Sequence, residues 1–317
     1  MTPKGGQGRV LVTGANGFVG VPLCEALHQS GWQVTAAVRE TVPALPDGVR
    51  ITVVGDLAQA GAPLAEAVAD SDLVINLVGR AHRQADETAY QRDNLATLAR
   101  LVGAMRANGV RRLIHLSSIK ALADVSARPL APDADPAPTD AYGRSKLQAE
   151  QWLQQQSGTQ LAVRVVRPPL VVGAGARGNL RSLLKSLARP VPLPLGRALA
   201  PRSLLGLRNL CDLLVHLAET PVDQDYAIVH ARDDDEPSVA ELLRRCGSLM
   251  GREPLLLPVP RFMMRAGAVV TGRQAMYERL FQPLRVSDAA SREQFGWQPR
   301  FPLEQSLQDL VTHGQST

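Results

Sequence analysis

Apolar and polar positions alternate between two periods along the first half of the chain. Residues 9–13, RVLVT, form a short β-branched run closed by glycine, which predicts a buried strand. Residues 18–30 place apolar side chains at helical spacing and stop at Gly31. WQVTAAVR then reads as a strand, ITVVGDL as another, AEAVADS as a helix and DLVINLVG as a strand. ETAYQRDNLATLARLVGAMRANG predicts a long amphipathic helix ending at Asn108-Gly109, and RRLIHLSS the strand that follows. Residues 127–140 are rich in Pro and Asp and predict an ordered surface loop or lid, neither strand nor helix. AYGRSKLQAEQWLQQQSG predicts a helix ending at Gly158, and LAVRVVRP a strand. Strand and helix in strict alternation imply an α/β fold with a parallel sheet and right-handed crossovers. After Pro168 the alternation weakens and prolines multiply, as in RPVPLPLG, EPLLLPVP and QPRFPL. That half predicts a smaller lobe grafted onto the sheet. No tandem repeat is visible.

Composition narrows the class without naming a chemistry. With 317 residues, 45% hydrophobic and 21% charged, the chain is neither disordered nor collagenous. Its length suits one large α/β domain or a domain with an appended lobe, with a core that needs no staples. Cys24, Cys211 and Cys246 are far apart and show no metal-ligand spacing. Neither a disulfide framework nor a metal site is expected, and a reducing cytoplasm is the expected compartment. No apolar run reaches the roughly 18 residues of a membrane span. The start, MTPKGGQGR, lacks the apolar core of a secretory signal. The formal charge is +5, with four lysines (Lys4, Lys120, Lys146, Lys185) and 31 arginines. The arginines are scattered and aromatics are 4%, so the balance points to small anionic ligands and not to nucleic acid.

The strongest chemical signal is Thr13-Gly14-Ala15-Asn16-Gly17-Phe18-Val19-Gly20, a GxxGxxG turn between a strand and a helix. Gly14 permits the tight turn, Gly17 lets the backbone approach a pyrophosphate, and Gly20 allows close helix–strand packing. The helix N-terminus, with Phe18 and Val19 at its mouth, offers free N–H groups and a positive dipole end to phosphates. The second strand ends at Ala37-Val38-Arg39, where an acid would bind an adenosine ribose. None stands there, and Arg39 can face a 2′-phosphate, which favours NADP(H) over NAD(H). The alternative is a solvated arginine. Asp56-Leu57 can bind and cover the adenine, and Leu77-Val78-Gly79 ends the fourth strand close to the cofactor.

Tyr142-Gly143-Arg144-Ser145-Lys146 places a phenol and an ammonium four residues apart, on one face of a helix. The ammonium favours the tyrosinate, so Tyr142 can exchange a proton with an alcohol or carbonyl oxygen, while Lys146 holds ribose hydroxyls. Ser118 closes the preceding strand at the carboxyl edge of the sheet, placed to donate a hydrogen bond to the same oxygen. Weaker candidates are His82, read as a loop residue before a pocket residue, and His115, read as a core residue. Trp32, Trp152 and Trp297 read as packing residues.

TGANGFVG, the Asp56-Leu57 step, NLVG, Asn94, LSS and YGRSK together resemble the extended short-chain dehydrogenase/reductases of the nucleotide-sugar epimerase/dehydratase family. The resemblance runs over about residues 9–310. It implies a Rossmann-like doubly wound parallel sheet over 9–167 that binds NAD(P). Residues 168–317 would form mainly a smaller C-terminal α/β substrate lobe, with some segments returning to the sheet. It implies that Ser118, Tyr142 and Lys146 are catalytic, that Asn94 anchors the site, and that Pro168 packs on the nicotinamide. In the second half, Asn179-Leu180 is similar to a pyrophosphate-facing step, Pro192-Leu193-Pro194 to the strand lining uracil, and Arg202 to a diphosphate-binding arginine. A homodimer through the helices at about 88–107 and 141–157 is also implied.

Departures from the family pattern narrow the reaction. The 4,6-dehydratases carry an Asp-Glu pair where this chain has Ile119-Lys120, which speaks against dehydration. Thr97, Leu170 and Ala141 replace family residues and leave the sugar open. The SSIK segment, the missing acid on the second strand and the LPLG run resemble bacterial surface-polysaccharide and O-antigen enzymes. The first expectation is an NADPH-dependent 4-ketoreductase of a UDP-4-keto-6-deoxyhexosamine. The second is a UDP-glucose or UDP-N-acetylglucosamine 4-epimerase with tightly held NAD, and the third an inactive dinucleotide-binding scaffold.

Overall fold

The structure, a computed structural model, describes residues 8–40, 45–57, 59, 63–79, 87–176, 178–189 and 191–315. The first half runs β1 (Arg9–Thr13), α1 (Gly20–Gln29), β2 (Gln33–Val38), β3 (Arg50–Val53), α2 (Leu64–Ala69), β4 (Leu73–Asn76), α3 (Glu87–Ala107) and β5 (Arg112–Leu116). A 3-10 turn at Ile119–Ala121 and β6 (Ser126–Leu130) then lead to α4 (Ala141–Gln156) and β7 (Ala162–Arg167). The second half runs β8 (Leu170–Val172), α5 (Asn179–Leu187), β9 (Leu204–Gly206), α6 (Leu207–Glu219), β10 (Tyr226–His230) and α7 (Val239–Leu249). It ends with α8 (Arg261–Val270), α9 (Gln274–Phe281), β11 (Leu284–Val286), α10 (Ala289–Phe295) and α11 (Leu303–Gln315).

The main sheet is seven-stranded, in the order β10-β7-β5-β4-β1-β2-β3, and its pairs are parallel. Strand β1 shows why both faces must be covered. Val10 and Val12 point into a core with Leu23, Leu27, Leu210 and Leu214 of α1 and α6. Leu11, one residue out of phase, points into the opposite core with Leu64, Leu98, Leu101, Met105 and Leu153 of α2, α3 and α4. Each such aliphatic side chain taken from water contributes about 1.5–3 kcal/mol. The sheet is therefore the middle layer of a doubly wound α/β fold; the alternation predicted its parallel strands, and the family resemblance its double winding.

A third core, with Val172, Leu184, Leu204, Leu243, Phe281 and Leu307, belongs to the second half. Phe18, just before α1, packs against both this core and that of α1. The second half also returns to the sheet, because β10 pairs with β7 and α6 packs on α1.

One expectation is corrected. Residues 127–140 were expected to hold no strand, yet Ser126–Leu130 is β6 and pairs in parallel with β11. The pairing is non-local, so no apolar pattern announces it. Its register shifts between Ser126↔Leu284 and Leu130↔Val286, an irregularity that leaves room for Pro129 in a two-stranded edge.

The chain order reverses between β1 and β4, so the segments that follow them diverge at the carboxyl edge of the sheet. In open α/β sheets this crevice is where ligands bind.

Candidate active site

The turn after β1 is built by steric exclusion. Gly14 has φ +72° and its N-terminal neighbour ends β1, and Gly17 N donates to Gly14 O at 3.0 Å. A Cβ on Gly20 would lie 2.5 Å from Ala15 O, so α1 packs on the turn only because position 20 has no side chain. Helix α1 has no side-chain cap; Val21 N donates to Gly17 O at 3.3 Å and Pro22 has no N–H, so the turn and the helix start are held by backbone alone.

Across the next strands the register lines up three polar residues, Thr13, Asn76 and His115. Thr13 Oγ1 donates to Asn76 Oδ1 at 2.6 Å, and Val78 N donates to the same oxygen at 3.2 Å. Asn76 Nδ2 lies 3.0 Å from His115 Nδ1, which must accept, so the proton sits on Nε2. His115 Nε2 finds no hydrogen-bond partner among the described residues. Burial pulls the His115 pKa well below its ordinary value, and the Lys146 charge adds to this. The ring is neutral, and the ladder fixes the backbone that follows β4.

Helix α4 brings the phenol and the ammonium to the same edge. Its run has no β-branched residue, and Asp140 caps it by accepting from Gly143 N at 2.7 Å. Lys146 is 5% exposed and its Nζ donates to Leu116 O at 3.0 Å, at the end of β5. A Cβ on Gly79 would stand 2.8 Å from that Nζ, so glycine after β4 is what opens space beside the ammonium. Burial lowers the Lys146 pKa to about 8, partly offset by the charge of Glu150. Tyr142, one turn earlier on α4, is half-buried. Asn94 Nδ2 on α3 donates to Ser145 Oγ at 3.2 Å, and Ser145 Oγ donates to Tyr142 O at 2.9 Å, which ties α3 to this turn of α4.

Ser118 opens the 119–121 turn, and its Oγ accepts from Lys120 N at 3.2 Å. Gly143 packs directly on that turn, because a Cβ there would strike the Lys120 carbonyl. The half-buried Ser118 and Tyr142 are thus held by elements in contact. Pro168 is buried and its carbonyl accepts from Ile119 N at 2.9 Å. Lys120, in the place where dehydratases carry an acid, pairs with Asp140 and with Asp124 Oδ1 at 2.7 Å. Its Nζ lies 6.0 Å from the centre of the Tyr142 ring.

Beneath these residues lies a buried charge pair. Glu150 accepts from Arg167 Nε at 3.0 Å and Nη2 at 2.6 Å, and also from Ser117 Oγ. Arg167 Nη1 donates to Pro132 O at 3.1 Å. The pair clamps α4 to the ends of β5 and β7 and to the segment after β6.

Further out, Arg39 is exposed at the carboxyl end of β2. Asp56 is half-buried, whereas Leu57 packs in the core beside α2 and α3, with its carbonyl accepting from Arg100 Nη1 at 3.2 Å. Leu77 and Val78 are half-buried over the two faces of the sheet.

In the lobe, Leu180 is buried in its core, and the Asn179 and His82 side chains lie outside the described residues. Pro192 is exposed, and Leu193 forms a single parallel bridge with Leu256. Arg202 Nη1 donates to Gln282 O at 2.6 Å. Burial lowers its pKa to about 10, Asp124 pulls the other way and Arg279 lowers it further. Arg202, Arg279, Asp124 and Lys120 thus form one charged neighbourhood between the lobe and the 119–121 turn. Trp32 and Trp297 are buried in the core, as their packing reading expected, and Trp297 Nε1 also donates to Asp212 Oδ2 at 2.7 Å.

A dinucleotide suits these residues. The turn uses the positive φ of Gly14 and excludes a side chain at Gly20, α1 starts without a side-chain cap, and Gly79 leaves a gap beside a buried ammonium. The model of the NAD dependent epimerase/dehydratase family matches residues 10–229. The chain belongs to this family. Among relatives, UDP-glucose 4-epimerase of Vibrio cholerae is 29% identical, over 95% of this chain and 94% of that protein. The N-acetyl-alpha-D-glucosaminyl-diphospho-ditrans,octacis-undecaprenol 4-epimerase of Escherichia coli O157:H7 is 26% identical, over 80% of this chain and 77% of that one. UDP-glucuronic acid 4-epimerase of Bacillus cereus, solved with NAD, superposes with a TM-score of 0.78 at 16% identity, covering 97% and 96% of the two chains. The family assignment makes this an NAD(P)-dependent enzyme of the short-chain dehydrogenase/reductase type.

Within this family member, sequence reasoning passed over Asn76, Glu150, Arg167 and Arg279. Arg279 had no local signal, since it lies in the middle of a helical run six residues ahead of Arg285, the cation that precedes the VSDAASREQFGW segment. The others become partners only through strand register and helix docking. Among the described residues no group of His, Cys, Asp and Glu is arranged to hold a metal ion, and no helix is long and apolar enough to cross a membrane.

Proposed function

We propose that the protein is a 4-epimerase of a UDP-linked hexose or N-acetylhexosamine, working with NAD, with a product that serves bacterial surface-polysaccharide assembly. The observation that carries a C4 oxidoreduction is the buried Lys146 ammonium, one helical turn from Tyr142 and beside the Gly79 gap. The choice of epimerisation is supported by the likeness to the Vibrio cholerae 4-epimerase along nearly its whole length.

In this reading a bound nicotinamide supplies hydride acceptance and return at C4. Tyr142 takes the proton from the C4 hydroxyl and gives it back after the sugar has turned. Ser118 donates a hydrogen bond to the same oxygen as it becomes a carbonyl. Lys146 binds ribose hydroxyls and its charge favours the tyrosinate. Asn94 holds the turn of α4 that carries both. The glycine turn binds the dinucleotide pyrophosphate, with Phe18 and Val19 at the head of α1. Asp56 and Leu57 line the adenine, and Leu77, Val78 and Pro168 line the nicotinamide end. Arg202 binds the sugar diphosphate, while Asn179, Leu180, Pro192 and Leu193 shape the nucleotide end. Two copies associate through α3 and α4.

A second reading keeps the same residues and makes the protein an NADPH-dependent 4-ketoreductase. Exposed Arg39 at the end of β2, where no acid stands at 37–39, favours it, since a guanidinium suits a 2′-phosphate. One experiment separates the two. The purified protein is incubated with UDP-glucose and with UDP-N-acetylglucosamine without added cofactor, and with a UDP-4-keto-6-deoxyhexosamine plus NADPH. Interconversion of the C4 epimers with no net nicotinamide oxidation is the expected result. NADPH oxidation on the keto sugar with no interconversion would assign the reductase, and neither activity would assign a scaffold.

A further inference from the structure

Helix α8 has no buried residue, although its sequence, RFMMRAGAVV, is mostly apolar. Phe262 is 73% exposed and Val270 87%, and Met263 and Val269 are exposed with them. Spacings of three, four and seven residues put Phe262, Met263, Ala266, Val269 and Val270 along one side of the helix. Met264 and Ala268, half-buried, take the other side, and Met264 packs against the lobe core with Tyr277 and Leu280 of α9. The apolar stripe therefore faces solvent by construction, not through fraying. Met276 of α9 is exposed as well.

Charge accompanies the stripe. No Asp or Glu lies between Glu253 and Glu278, while Arg261, Arg265 and Arg273 do. All three are exposed residues. A second copy of the chain is disfavoured as the occupant, because a two-fold contact would set Arg261, Arg265 and Arg273 of each copy against the other's with one carboxylate per copy, Glu278 of α9, to pair them. A leaflet rich in anionic phospholipid satisfies both halves of the surface. Apolar side chains enter the acyl boundary, and guanidinium groups meet headgroup phosphates.

We propose that α8 and α9 form an interfacial docking element that seats the protein on an anionic membrane surface without crossing it. The element is tied to the charged end of the candidate site. Arg261 Nη2 donates to Phe281 O at 2.9 Å, and Gln282, the residue after α9, accepts from Arg202. Docking thus places the Arg202 side of the crevice near the lipid surface. Docking is independent of the reaction at Tyr142 and fails or stands by a readout of its own.

The test is flotation of the full chain with vesicles of phosphatidylglycerol and phosphatidylcholine in equal parts, beside vesicles of phosphatidylcholine alone. The wild type is expected to float with the anionic vesicles, less so in high salt, and weakly with the neutral ones. The double variant Phe262→Asp/Val270→Asp is expected to lose more than about tenfold in partitioning. The double variant Arg265→Glu/Arg273→Glu is expected to lose roughly fivefold or more for each arginine replaced. Thermal melting and turnover of a soluble substrate stay as in the wild type, since these side chains touch neither core nor crevice. Three results would overturn the proposal: no flotation of the wild type, flotation of both variants equal to that of the wild type, or a wild-type dimer that Phe262→Asp/Val270→Asp splits, which would assign the face to a second copy.

Discussion

Lys146 carries a cost in stability. Its ammonium is 5% exposed, and burial lowers its pKa from 10.5 to about 8. Between those values the unfolded chain holds more protons than the folded one, so stability rises with pH from about 8 towards 10.5. Below pH 8 both states are charged and the full penalty, about 3 kcal/mol, weighs on the fold. Lys146→Met removes the penalty and loses one hydrogen bond to Leu116 O. The cofactor-free variant is expected to melt roughly 5 °C above the wild type at pH 7 and to lack the wild type's gain between pH 8 and 10. Melts across that range on both proteins check it, and a variant that melts lower at pH 7 would contradict it. This lysine was legible at once, because Tyr142 and Lys146 share a helical turn and need no tertiary context. The Thr13–Asn76–His115 ladder was not. Its members lie 63 and 39 residues apart and meet only when β1, β4 and β5 take their register.

At the scale of elements, the site depends on how closely α4 lies on the 119–121 turn. Gly143 sets that distance, since a Cβ there would strike Lys120 O and stand 3.0 Å from Pro138 Cβ. The neighbour is backbone and cannot swing aside, so Gly143→Ala must lift the start of α4, and Tyr142 with it. The variant is expected to lose at least about tenfold in kcat, with a smaller change in KM, because the nucleotide end is untouched. Unchanged kcat would mean that α4 is not positioned by this contact. Elements whose signals are local, such as β1, the glycine turn, α1 and α4, were readable to within a few residues. Strand β6 was hidden because its partner β11 lies far along the chain and its side chains alternate weakly. Glu150 and Arg167 carry no local signal, because they become partners only when β7 docks against α4.

For the whole molecule, two halves divide the work. The sheet half carries the glycine turn, the ladder and the Tyr142–Lys146 pair at its carboxyl edge. The lobe brings Arg202 and Arg279 into the charged neighbourhood of Asp124 and Lys120 and turns the apolar stripe of α8 outward. The basic excess that first suggested small anionic ligands separates into two groups. In the proposed reading Arg202 meets the sugar diphosphate, while Arg261, Arg265 and Arg273 flank the apolar stripe of α8. In the proposed reaction Tyr142 moves the proton at C4. The most direct measurement is the rate of C4 interconversion of the UDP-sugar by Tyr142→Phe beside the wild type, with bound nicotinamide quantified in both. Loss of about a thousandfold or more in rate with cofactor retained is the predicted result. A rate within a few-fold of the wild type would contradict it.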